Sequence, residues 1–186
     1  MDEDFLDNFN IPNKSGVILW MTGLSSSGKT TIALKLAKEL RKYKKTHEHI
    51  DGDAFRAELN IGLSYSTKDR KKNIEIAAYL ANKLSKHVDF VIVSLISPFR
   101  EQRRKLKEDN NNFIEIYINA PINVCEERDV KGLYKKARKG EIIEFTGISH
   151  LYEAPFNPDI ELKTDMTNAD VCVREILNFL DFRNLI

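Results

Sequence analysis

Residues 23–31, Gly23-Leu24-Ser25-Ser26-Ser27-Gly28-Lys29-Thr30-Thr31, decide how the rest of the chain is read. They fit the pattern G-x-x-x-x-G-K-[ST]. They follow the apolar run Val17-Ile18-Leu19-Trp20-Met21 and lead into Ile32-Ala33-Leu34. A strand, a glycine-punctuated loop and a helix in that order make a phosphate-binding P-loop. The backbone N–H groups from Ser25 to Thr30 are expected to form an anion nest at the helix N-terminus. Lys29 then reaches the outer phosphates of a nucleoside triphosphate such as ATP, and the Thr30 hydroxyl faces Mg²⁺.

Outward from this loop, strand and helix signals alternate. Val17 to Thr22 reads as a buried strand, and Gly28 to about Tyr43 as a helix with Ile32, Leu36 and Leu40 on one face. Glu48 to Asp51 is a short strand entering the turn Asp51-Gly52-Asp53. Lys68 to Lys86 is helical, with Ile74, Ala77, Ala78 and Ala81 as its apolar stripe. Phe90 to Leu95 is a β-branched run of the kind found in central parallel strands. Pro98 stops it, and a basic helix follows from Phe99 to Lys107. Phe113 to Ile118 is a further strand, and Pro121 opens another helix. Ile160 to Leu162 and Val171 to Phe182 read as a last strand and a closing amphipathic helix. Between them, residues from about 128 to 147 are basic, glycine-punctuated and weakly periodic, which reads as a lid rather than core. The expected architecture is α/β: a three-layer α/β/α P-loop kinase fold with a mainly parallel central sheet and a basic lid segment. Residues 1–15 read as an N-terminal arm, and 16–186 as a single domain.

Bulk composition narrows the function. Lys and Arg total 29 against 28 Asp and Glu, a net charge of +1. That balance gives no support for nucleic acid as a partner. No apolar run reaches the roughly 20 residues needed to span a bilayer, and the acidic start MDEDFLDNFN lacks the layout of a signal peptide. No membrane partner is expected. Cys125 and Cys172 lack metal-ligand spacing and suit a reducing cytoplasm, where the chain is expected to reside.

A nucleotide switch requires further motifs. Asp129-Val130-Lys131-Gly132 matches a metal-sensing D-x-x-G, but it follows the polar Cys125 to Arg128 instead of an apolar strand. Thr67-Lys68-Asp69-Arg70 and Asn82-Lys83-Leu84-Ser85 both fail the guanine-reading pattern. The strand ending at Leu95 carries no Walker-B acid. The acids lie at the end of the second strand, where Asp51 and Asp53 precede Arg56. In open α/β sheets ligands bind beyond the carboxyl ends of the strands. A carboxylate placed there can align Mg²⁺ or accept a proton from an attacking hydroxyl. A basic lid suits a small kinase, which must exclude water from its phosphoryl donor.

Six stretches in order, GLSSSGKTT, DGDAFR, LNIGLSYSTKDRKKN, SLISPFR, ERDVKGLYKKARKGEIIEFTGIS and YEAPFNPDIEL, resemble the adenylylsulfate (APS) kinase family from about Val17 to Leu162. The resemblance implies transfer of the ATP γ-phosphoryl group, assisted by Mg²⁺, to the ribose 3′-hydroxyl of APS, giving PAPS and ADP in sulfate assimilation. It implies ATP contacts at residues 23–31 and at Arg128, and metal contacts at Thr30 and Asp53. Lys29 and Asp53 are the implied catalytic groups, with Ser97 a phosphoserine nucleophile in bacterial relatives. The acceptor would meet Asp53, Arg56, Tyr65, Arg70, Asn73, Ile96, Ser97, Lys131 and Phe145, with Tyr65 and Phe145 covering the two faces of its base. A homodimer is the oligomeric state that the family suggests.

The chain departs from the family pattern in three places. Ser26 replaces a glycine, Tyr65 replaces a phenylalanine, and Glu75-Ile76 replace two arginines. Two other readings therefore stay open. One is a 3′-hydroxyl kinase of a related nucleotide, such as a cytidine diphosphate derivative of surface-polysaccharide synthesis. The other is a non-catalytic ATP-binding module.

Overall fold

The computed structural model describes residues 14–52, 54 and 66–186. Five strands form one parallel sheet: β1 (Val17–Thr22), β2 (His47–Asp51), β3 (Phe90–Ser94), β4 (Phe113–Asn119) and β5 (Ile160–Lys163), in the order β2-β3-β1-β4-β5. The central strand β1 is buried along its whole length, as its unbroken apolar run requires. Six helices are described: α1 (Lys29–Lys42), α2 (Thr67–Leu84), α3 (Arg100–Glu108), α4 (Ile122–Arg128), α5 (Leu133–Arg138) and α6 (Ala169–Phe182).

Alternation along β1 divides the core between the two sheet faces. Val17, Leu19 and Met21 pack with Ile32, Leu36 and Leu40 of α1 and with Val173, Ile176 and Leu180 of α6. Ile18 and Trp20 face the other way, onto Ile74, Ala77 and Ala81 of α2. The Trp20 ring stacks on Phe113 with centroids 5.7 Å apart. The expected three layers are thus observed, and every expected element within the described residues lies within about two residues of its place.

Two features depart from the sequence reading. The lid carries a core of its own, in which Tyr134, Ala137 and Phe145 pack with Cys125 and Ala120. Its short helix α5 begins where both carboxylate oxygens of Asp129 accept the N–H groups of Tyr134 and Lys135, each at 3.0 Å. Asp129 therefore anchors the first turn of α5, whose N-cap position is Gly132, and gives a structural use to the acid of the D-x-x-G match.

The second is in α3, which reads from the sequence only as a basic helix. Arg103 is 1% exposed. Its Nε donates to Glu115 at 2.7 Å, and its two terminal nitrogens donate to the carbonyls of Ser97 and Glu153. One planar guanidinium thus joins α3, β4, the loop after β3 and the segment that follows the lid. Arg103→Met should destabilise the fold by about 3–5 kcal/mol in urea denaturation, because it strands the Glu115 carboxylate. Adding Glu115→Gln should recover only part of that loss, since the two carbonyls still lack their donor.

Candidate active site

The P-loop turns tightly between β1 and α1. A Cβ at Gly23 would stand 2.4 Å from the Ile118 carbonyl oxygen and 2.9 Å from Ser27 Oγ, so no side chain fits there. Gly28 precedes α1 at φ 107°, a conformation that side-chain-bearing residues avoid. It offers no cap, and no acid occupies the first turn of α1. The positive end of the helix dipole therefore meets the cavity with no acid of its own first turn to offset it, which suits an anion. Ser26 lies at φ 59°. The serine that replaces the family glycine thus sits in the left-handed region and carries backbone strain.

The carbonyls of this loop find donors from four places. Lys29 Nζ donates to Gly23 O at 3.0 Å and to Leu24 O at 2.6 Å. The Tyr134 hydroxyl donates to Ser25 O at 3.0 Å. Arg128 reaches Ser26 O at 3.4 Å and Ser27 O at 3.3 Å, and Thr164 Oγ1 donates to Ser27 O at 2.7 Å. Burial pushes the Tyr134 hydroxyl well above the usual phenol range, so it is a neutral donor at ordinary pH.

At the carboxyl ends of β2 and β3, Thr30 Oγ1 donates to Asp51 Oδ2 at 2.7 Å. Ser94 Oγ donates to the same oxygen at 3.2 Å, and His49 Nε2 lies 2.9 Å from Ser94 Oγ. The amide of Ala54 donates to Asp51 Oδ1 at 3.3 Å, tying the carboxylate to the turn that follows. Burial holds the His49 pKa below the ordinary imidazole value, against the opposing pull of Asp51 and with a smaller push from His47.

Of these groups, Lys29, Thr30, Asp51, Ser94, Arg128 and Thr164 line a cavity of about 630 Å³. Residues 25–31 and Arg128 lie on its wall together with Arg70, Asn73, Ile96, Ser97, Lys131 and Phe145, so both expected halves of the site share one space. Asp51, Thr164 and Asn168 also line it. Arg70 is buried and donates to the Thr146 hydroxyl and the Glu144 carbonyl, on either side of Phe145. The Phe145 ring in turn meets Tyr134 edge-on, with centroids 5.0 Å apart. Asp53, Arg56 and Tyr65 lie outside the described residues.

The chain matches the family model for adenylylsulphate kinase over residues 15–163. It is 48% identical to the adenylyl-sulfate kinase of Gloeothece citriformis over 166 residues, which covers 89% of this chain and 94% of the relative. It is likewise 48% identical to the adenylyl-sulfate kinase of Rippkaea orientalis, covering 90% of this chain and 93% of that one. Among solved structures, the Mycobacterium tuberculosis APS kinase in complex with AMPPNP and APS superposes with a TM-score of 0.84 at 37% identity, covering 90% of this chain and 99% of that one. The chain belongs to the adenylylsulphate kinase family.

In this family member Ser97 occupies an unusual position. It is 2% exposed and has φ 44°, and its Oγ accepts the Trp20 indole N–H at 3.0 Å. Its carbonyl accepts from Arg103 and, at 3.3 Å, from Thr22. The loop after β3 is thus pinned from below. Thr22 Oγ1 also donates to Ile96 O at 2.7 Å and meets the Tyr152 hydroxyl at 2.9 Å.

Asp51, Tyr134 and Thr164 were not among the expected site residues. The DGD turn pointed to the right place, and within the described residues its Asp51 meets Thr30. Tyr134 could have been flagged as the one aromatic between Asp129 and Lys139. Thr164 carries no signal at all. Ser26→Gly should raise stability in thermal or urea unfolding by about 0.5 kcal/mol, since relief of left-handed strain exceeds the added freedom of the unfolded chain. A loss of stability instead would contradict the strain assigned to Ser26.

Proposed function

We propose that this protein transfers the γ-phosphoryl group of ATP to the ribose 3′-hydroxyl of APS, giving PAPS and ADP. Family membership supports this reading, and the observation that carries it is the single cavity. The P-loop and Arg128 line it together with Arg70, Asn73, Lys131 and Phe145. Two substrates held in one enclosure can react in line without leaving it.

On the donor side, Lys29 and the first-turn amides of α1 receive the β- and γ-phosphates. On the acceptor side, the Arg70 guanidinium offers forked donors to the sulfate or phosphate oxygens of APS. Phe145 covers one face of the adenine and Tyr65 is assigned to the other, with Arg56 adding a second cation. The 3′-oxygen attacks the γ-phosphorus as the bond to the β–γ bridging oxygen breaks. Asp53 is assigned to accept the hydroxyl proton.

Mg²⁺ fits the residues present. Thr30 Oγ1 and Asp51 Oδ2 are hard oxygens 2.7 Å apart beside Lys29. Among the described residues there is no group of three or more His, Cys, Asp or Glu that could cage an ion. That sparse donor set suits an ion bound largely through nucleotide phosphates and water. Thr30 and Asp51, with Asp53, would hold it, and when bound it neutralises charge on the transferring phosphoryl group.

Direct transfer requires no covalent intermediate, because positioning and charge neutralisation supply the catalysis. Ser97 Oγ is engaged by Trp20 and lies beneath a strained backbone. Its role in this reading is to shape the loop and to touch the acceptor.

Two experiments test the assignment. ADP release with MgATP should require APS and should not occur with cytidine nucleotides. Turnover only with a cytidine nucleotide would reassign the acceptor, and tight ATP binding without turnover would leave a binding module. Lys29→Ala should lower turnover by at least about 10²-fold with the fold intact by circular dichroism. In the second experiment, γ-labelled ATP without acceptor should leave no label on Ser97; a stable phosphoserine there would establish the two-step route.

A further inference from the structure

Beyond the P-loop and the acceptor contacts, a row of polar side chains runs away from the metal-facing oxygens into the sheet. His49 and Asp51 are two residues apart on β2, so their side chains share a sheet face. Asp51 is paired in register with Ser94 on β3. Ser94 is buried, and its hydroxyl has one proton. Given to Asp51 Oδ2 at 3.2 Å, that proton leaves the Ser94 oxygen to accept from His49 Nε2 at 2.9 Å. His49 thus carries hydrogen on Nε2, and every donor in the row points toward the carboxylate. At the far end, the same Oδ2 receives the Thr30 hydroxyl at 2.7 Å.

A carboxylate on a short side chain has two free torsions, and one contact to Thr30 does not fix both. The Ala54 amide on Oδ1 and the Ser94 hydroxyl on Oδ2 hold the two oxygens from different directions. Outer partners of this kind orient the groups that face a metal ion.

We propose that His49 and Ser94 are positioning residues that fix Asp51 against Thr30 and so set the oxygen pair that meets the nucleotide's magnesium. The proposal rests on the reading of this site as an MgATP site, but not on the identity of the acceptor. His49 acts through Ser94, and Ser94 acts through Asp51. Neither residue needs to touch the phosphates.

The test measures the affinity of the intact protein for a non-hydrolysable ATP analogue by calorimetry, with and without Mg²⁺. The readout is the ratio of the two dissociation constants, which is the gain that the metal brings. Ser94→Ala and His49→Leu should each reduce that gain by roughly 10-fold while the metal-free constant stays within about 2-fold. His49→Gln, whose amide nitrogen can take the place of Nε2, should restore most of it. A wild-type gain in Ser94→Ala would overturn the proposal. So would an equal weakening with and without metal, which marks a general packing role. Should Ser94→Ala fold poorly, the His49→Leu and His49→Gln pair decides alone, since equal gains in those two variants refute the relay. Failure of the wild-type protein to turn over APS, alongside the expected change in metal gain, would remove the acceptor assignment and leave this inference standing.

Discussion

A backbone loop that grips an anion with its N–H groups must turn its carbonyls elsewhere, and each buried carbonyl needs a donor. In this protein that requirement organises the site. The five carbonyls from Gly23 to Ser27 are met by Lys29, Tyr134, Arg128 and Thr164. Only Lys29 is local. Arg128 ends α4, Tyr134 belongs to α5 and Thr164 follows β5. The loop can therefore hold its shape only once the lid base and the last strand are in place. Arg128, Tyr134 and Thr164 thus tie the lid base and the end of β5 to the back of the P-loop through hydrogen bonds.

The same logic operates across the cavity, where the loop after β3 runs against its own preferences. Ser97 adopts a left-handed conformation, and such backbone persists only when its surroundings over-determine it. Trp20 holds its hydroxyl, Arg103 and Thr22 hold its carbonyl, and Thr22 holds the carbonyl of Ile96. Trp20 and Thr22 both come from β1, the strand that also launches the P-loop. The two walls of the cavity are thus referenced to one strand, which keeps their separation fixed. A reaction that depends on alignment between donor and acceptor benefits from that rigidity.

Much of this was legible in the sequence. The unbroken apolar runs 17–21 and 90–93 read as buried parallel strands, as the structure has them, and the glycines and lysine of residues 23–31 mark the P-loop before any fold is known. What could not be read has a common cause, in that it depends on registers and contacts between distant segments. Arg103 looks like any charge on a basic helix until Glu115 and two carbonyls surround it. Tyr134 and Phe145 stand among lysines and glutamates, so the lid shows no periodicity although it has a core. The place of Asp51 beside Ser94 depends on the pairing of β2 with β3, which the sequence does not display. Ser26 shows the converse: its identity alone says nothing of its backbone, and its φ of 59° shows that the loop retains a conformation that glycine would adopt more easily.

The connection between the two substrate sides follows from Arg70. A guanidinium meant only to meet an anion would gain most by projecting freely into the cavity. Here it is buried and donates to Thr146 and to the Glu144 carbonyl, bracketing Phe145. Phe145 packs against Tyr134, and Tyr134 holds the Ser25 carbonyl in the P-loop. An unbroken path of contacts thus runs from the cation assigned to the acceptor, through the aromatic assigned to its base, to the loop that takes the donor phosphates. Any shift of Arg70 toward an acceptor anion must alter its bonds to the Glu144–Thr146 segment, and with them the seating of Phe145 and Tyr134. These contacts supply a continuous physical route between the acceptor side and the donor loop, of the kind through which packed side chains and hydrogen bonds carry coupling.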